Sequence, residues 1–223
     1  LLNLWPYLIL SVFETSAMFF LSFKIFKIDL FLKEIIFASL MMGFISYILR
    51  NDYQLDQVDI VLQYVLMICF LWLLFRIHIF YAAIMTGMGY QAYLLIQTSL
   101  YSIMDRIGIS FDNFQAKLSV YTLVLQALSA LTAILIGIYI GKKRKGFDFV
   151  PDKPNGKIYI SSRDKILFAL NIPSVLILIS AIYLANYFPK WFFLESFAYA
   201  LVLYGYLYIS YKKDRSNDEN FGL

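Results

Sequence analysis

A single cysteine and a single histidine stand in a chain of 223 residues. Cys69 alone cannot form a disulfide within the chain. His78 alone cannot supply a histidine-cluster metal site. Charge is scarce too: Asp, Glu, Lys and Arg make up 15% of the residues, against about 25% in a soluble domain. No phosphate-binding glycine loop, nucleophile elbow, H-E-x-x-H or C-x-x-C occurs. No aspartate-rich cluster offers magnesium to a prenyl or phosphoryl transferase. Cys69 and His78 are nine positions apart and straddle an expected helix end, which speaks against a Cys–His nucleophile pair. No catalytic residue, metal site, cofactor or nucleic-acid partner is expected.

What fills the chain is apolar. Hydrophobic residues make up 61%, with 21 Phe and 18 Tyr, and mean hydropathy is +0.70. A soluble core cannot hide that much apolar surface, so the bilayer is the expected solvent. Seven runs approach the roughly 20 residues that a spanning helix needs. They are Leu4–Phe23, Leu30–Leu49, Val58–Phe75, Ile77–Met104, Leu118–Gly141, Ile166–Phe188 and Trp191–Ser210. Lipid cannot satisfy exposed backbone groups, so continuous runs mean helices. A membrane barrel would show short alternating segments instead. The expected fold is an all-α polytopic membrane bundle of about seven helices over residues 1–211. The first run lacks a basic start, carries Glu14 and has no small-residue cleavage site before Lys24, so it does not read as a signal peptide. Leu1 is not an initiator methionine; the expectation is that a Met and a short leader precede it.

Basic residues set the orientation. With seven spans, fifteen of the 19 Lys and Arg fall on one side, leaving only Arg50, Arg106, Lys117 and Lys190 on the other. Six spans would break this pattern. The N-terminus is therefore expected outside and the C-terminus in the cytoplasm, in a cell membrane. The stretch 142–165 becomes a cytoplasmic loop opened by Lys142, Lys143, Arg144 and Lys145. That run reads as a topology anchor on anionic lipid headgroups or as a dock for an acidic partner. Asn155-Gly156, between "FDFV" and "KIYI", signals a small β-hairpin. The tail 212–223 is charged and expected to be disordered. The outer loop "RNDYQLDQVD" reads as acidic through Asp52, Asp56 and Asp59.

Ionisable groups inside spans are costly and become candidates for a ligand or ion path. Glu14 sits mid-span in "SVFETSAMFF". Glu195 lies about one turn inside the seventh run and could instead snorkel outward. Gln63, Gln91, Gln97, Gln126 and Asn171 read mainly as interhelical hydrogen-bonding groups. Gln126 and Asn171 are singled out, because Pro173 removes a backbone donor near Asn171 and can open the sixth helix there. Ser129, Ala133, Gly137 and Gly141 recur every fourth residue, and Ala83 and Gly87 share that spacing. Such faces let helices approach closely, within one chain or between two copies. Membrane lipids and a protein partner or second copy are the expected neighbours.

These runs, rich in Phe, Ile and Tyr and ending in "YLYISYKKD", resemble in layout the membrane sensor module of Agr-type peptide-pheromone receptor kinases. The resemblance covers residues 1 to about 213. It implies an outer ligand pocket, coupling through the last helix, and a dimerisation and kinase region after that helix. No functional residue carries over. Because this sequence stops at Leu223, the expectation is a receptor-like module acting with a separate cytoplasmic partner. The alternatives are a membrane component of a transporter, with Glu14, Gln126 and Asn171 along the substrate path, and a non-catalytic subunit of a larger membrane complex.

Overall fold

The computed structural model describes residues 4–107, 120–151, 160–187 and 193–221. Its helices are α1 (Leu4–Ile25), α2 (Leu32–Tyr47), α3 (Asp56–Leu73), α4 (Ile79–Arg106), α5 (Val120–Lys142), α6 (Ser162–Ala169), α7 (Asn171–Tyr187) and α8 (Phe193–Phe221). A π-helical turn, Ile48–Asp52, extends α2. No strand occurs among the described residues. Each apolar run of the sequence falls on a helix, the sixth on two. Its outer end at Phe188 lies outside the described residues, as do the starts of the fifth and seventh runs at Leu118 and Trp191.

Five helical stretches are long and apolar enough to cross a bilayer: Trp5–Ile25, Leu32–Asp52, Ile79–Arg106, Tyr121–Lys142 and Ser162–Leu184. The apolar stretch of α3, Gln57–Leu73, is shorter. Tyrosines at 199, 204, 206, 208 and 211 dilute the apolar character of α8. Large apolar side chains such as Leu135, Ile172, Leu176, Phe197 and Leu201 point outward. Those surfaces suit hydrocarbon, and the chain has the build of a membrane helix bundle.

α4 is the axis. Every residue from Tyr81 to Gln91 is buried, as expected for a helix enclosed on all sides. α1, α3, α5, α6, α7 and α8 all pack on it. His78 caps its start, with Nδ1 accepting from Phe80 N at 3.3 Å.

Three helix ends share one device. Lys27, Arg76 and Arg144 follow α1, α3 and α5 with φ of 49°, 57° and 51°. The left-handed turn lets Ile28 N reach Phe23 O at 3.0 Å and Lys145 N reach Ile140 O at 3.1 Å, which satisfies carbonyls left open by the helix end. Each residue also brings a positive charge to the negative end of a helix dipole. These ends lie together, so the bundle has one basic end. The loop after α5 seals it. Phe147 N donates to Ile25 O at 2.8 Å, and Phe149 meets Phe26 edge-on at 5.6 Å. A Cβ on Gly146 would lie 2.7 Å from Lys24 O, so only glycine allows this approach.

The sixth run breaks at Leu170. Pro173 has no N–H for the carbonyl of Ala169, which ends α6. Asn171 Nδ2 donates to the neighbouring Phe168 O at 2.9 Å. α6 begins with a capping box, in which Ser161 and Asp164 bond each other's backbone.

Three sequence expectations need correction or restriction. The tail is helical over residues 212–221, where α8 continues to Phe221. The proposed hairpin has its turn and most of its second arm outside the described residues, and the first arm, residues 147–150, is irregular. Asp59 does not belong to an acidic loop. It lies in the first turn of α3 and is fully buried, because three donors surround it there.

Candidate functional site

A cavity of about 330 Å³ lies in the half of the bundle away from the basic end. Its wall is drawn mainly from the N-terminal halves of α1, α3, α5 and α8 and the C-terminal halves of α2, α4 and α7, with Arg50 from the π-helical turn. Antiparallel packing of successive helices puts all these ends on one side.

Two polar clusters face into it. The first is centred on Glu14. Tyr93 donates its hydroxyl to Glu14 Oε1 at 3.0 Å, and Gln97 Nε2 approaches the same oxygen at 3.4 Å. Tyr93 and Gln97 are one turn apart on α4, so a single helix face offers both donors. The second cluster is centred on Asp59. Arg50 Nε donates to Oδ2 at 2.5 Å, Ser46 Oγ donates to Oδ2 at 2.8 Å, and Gln63 Nε2 donates to Oδ1 at 3.1 Å. Because the Ser46 hydrogen goes to Asp59, Tyr7 is the donor in its 2.8 Å bond to Ser46. The π-helical turn aims Arg50 back over the start of α3. Buried charge is tolerated when paired and hydrogen-bonded, and Asp59 has both.

Of the residues singled out from sequence, Glu14 and Gln126 line this cavity, while Glu195 and Asn171 do not. Glu195 is buried on α8, where Oε1 accepts from Ser180 Oγ at 3.1 Å. Asn171 sits at the break between α6 and α7, and its Oδ1 accepts from Tyr64 at 2.5 Å. The small residues work inside the chain. Ser129 and Ala133 are fully buried. A Cβ on Gly137 would lie 2.7 Å from the Phe20 ring, and one on Gly141 would lie 3.3 Å from Lys24. α1 therefore already occupies this face of α5. On α4, Ala83 is buried and Gly87 leaves room for Tyr206 and Asn171. Lys142, Lys143, Arg144 and Lys145 are exposed at the basic end.

Sequence reasoning missed Tyr7, Ser46, Arg50, Asp59, Tyr93 and, as site residues, Gln63 and Gln97. One signal was present: Asp59 and Gln63 stand one helical turn apart, a short way after the opposite charge of Arg50.

At the basic end, Lys213 Nζ donates to Asp164 Oδ1, joining α8 to α6. The ammonium also lies 4.2 Å from the Phe149 ring centre and 5.3 Å from that of Tyr81. Burial pushes the Lys213 pKa below its usual value, and Asp164 works against that shift. No group of His, Cys, Asp and Glu suited to a metal ion occurs among the described residues. The arrangement offers binding chemistry: a cleft with tyrosine faces, amide and hydroxyl groups, and a carboxylate. Comparison with protein families, with characterised proteins and with solved structures finds no match to this chain.

Proposed function

We propose that this chain is a receptor-like membrane module of seven spans, with its N-terminus outside and its C-terminus in the cytoplasm. The cavity receives a small amphipathic ligand from outside, and α8 carries its occupancy to the basic end, where a separate partner docks. The observation behind this reading is the contrast between the two halves of the bundle. One half holds a cavity whose largely apolar wall carries the Glu14 and Arg50 charges and several amides and hydroxyls. The other is filled by Phe19, Phe23, Met67, Leu71, Tyr81 and Met85, with Phe75 against both Phe19 and Phe23. A cavity closed at its inner end favours a binding module over a conduit. α8 reaches both ends, with Tyr199 in the cavity wall and Lys213 bonded to Asp164. The basic asymmetry supplies the orientation, and the layout resemblance to Agr-type sensor modules agrees with the division of roles.

The test is thiol access. Gln126→Cys in a Cys69→Ser background is treated with an impermeant methanethiosulfonate in right-side-out and inside-out vesicles. Modification from the outer face alone is the expected result. Modification from both faces would favour a transport component, and modification from the inner face alone would reverse the orientation.

A further inference from the structure

We propose that the ligand of this cavity carries a positively charged amine beside an aromatic or aliphatic body. The inference rests on the binding-cavity reading and adds the ligand's chemical class. It comes from the balance of charge in the wall. Among the described residues two carboxylates belong to it, Glu14 in the lining and Asp59 bonded to lining residues, against one cation, Arg50. Arg50 donates to Asp59, which also takes Ser46 and Gln63. Among the described residues Glu14 receives hydrogen bonds from neutral donors alone, Tyr93 and Gln97, and both reach Oε1. Among the same residues none donates to its Oε2. Among the described residues the wall thus carries one carboxylate more than cations, and a cationic guest would balance it.

The rest of the wall fits that guest. Tyr7, Tyr90, Tyr93, Tyr101 and Tyr199 contribute rings, and aromatic faces attract cations while covering apolar surface. An ammonium at Oε2 would form a charge-assisted hydrogen bond shielded from water, the stronger class of such bonds. Asp59 shows why this carboxylate and not the other is the recognition group. Its oxygens are taken by this chain's own side chains, while Glu14 keeps acceptor capacity.

The experiment uses the purified chain carrying Cys69→Ser and Gln126→Cys, in nanodiscs, and measures how far a probe protects the introduced thiol. The reagent is neutral methyl methanethiosulfonate. The probes are 2-phenylethylammonium and its neutral counterpart 2-phenylethanol. The ammonium should protect at a concentration about tenfold lower than the alcohol, the scale of one charged hydrogen bond. Glu14→Gln keeps an oxygen for Tyr93 and Gln97 but removes the charge. Gln97→Lys instead places a tethered ammonium beside Glu14. Each change should raise the half-protecting concentration of the ammonium about tenfold and shift that of the alcohol by much less. Equal protection by both probes in all three backgrounds overturns the amine assignment and leaves the binding cavity standing. Protection by neither probe overturns both.

Discussion

Lys213 and Asp164 form a buried ion pair 49 positions apart in the chain, and Asp164 simultaneously closes the capping box of α6. One carboxylate thus holds the start of α6 with one oxygen and the far part of α8 with the other. Asp164 Oδ2 accepts from Ser161 N at 2.9 Å and Ser161 Oγ at 2.8 Å. Lys213→Met removes the ammonium but leaves those bonds in place. Asp164→Ala removes the cap and strands a buried ammonium, a loss of about 3–5 kcal/mol. The thermal midpoint in mild detergent should fall for both variants and fall further for Asp164→Ala. Equal falls would mean that the pair, and not the cap, dominates, and the reverse order would mean that the stranded carboxylate costs more than the stranded ammonium.

The Asp59 cluster should show the asymmetry of buried charge. Arg50→Ala leaves a fully buried carboxylate without its cation and should cost about 3 kcal/mol. Arg50→Met combined with Asp59→Leu removes both charges and should recover part of that loss, although Ser46 and Gln63 then lose their acceptor. Urea or thermal unfolding of the three proteins in detergent gives the comparison. A double variant no more stable than Arg50→Ala would assign the cost to shape instead of charge.

Gly137→Leu and Leu135→Ala make a second pair. A side chain at 137 would drive into the Phe20 ring, whereas Leu135 is 66% exposed toward the surrounding lipid. Overpacking costs about 1–3 kcal/mol, while trimming an outward leucine in hydrocarbon changes little. Gly137→Leu should therefore lower the yield of monodisperse protein and its melting temperature, with Leu135→Ala close to wild type. Equal values would mean that α1 yields at this crossing.

Much of this organisation was legible in the sequence, for reasons that differ by element. Apolar runs of spanning length mark helices because hydrocarbon permits little else, and α1, α2, α4 and α5 followed directly. Pro173 announced trouble in the sixth run, and the break lies one turn before it. Glu14 stood out because a carboxylate amid apolar residues has few bland explanations. Its partners did not stand out. Tyr93 and Gln97 are ordinary in composition, and nothing local says which face of α4 turns toward α1. Asp59 was hidden by its polar neighbours, since a charge beside a loop normally faces water. Burial of Asp59 depends on Arg50, Ser46 and Gln63 converging from three elements, which is information held in packing. Phe147 and Phe149 were likewise opaque, because their place beneath α1 comes from long-range contact.

Gly87 has a mechanical consequence. A Cβ at that position would collide with the Tyr206 hydroxyl and would lie 2.7 Å from Asn171 Oδ1. Tyr206 therefore seats in a notch on α4 where the backbone alone is present. One turn along α4 in either direction, about 5.4 Å, stand Ala83 and Gln91, both buried and both bearing the Cβ that Gly87 lacks. A piston stroke of α8 by that distance would lift the tyrosine ring out of its seat and onto a filled site. The notch acts as a detent against sliding, and it leaves α8 a pivot at Tyr206. Movement at Tyr199 on one side of that fulcrum would appear with opposite sign at Lys213 on the other.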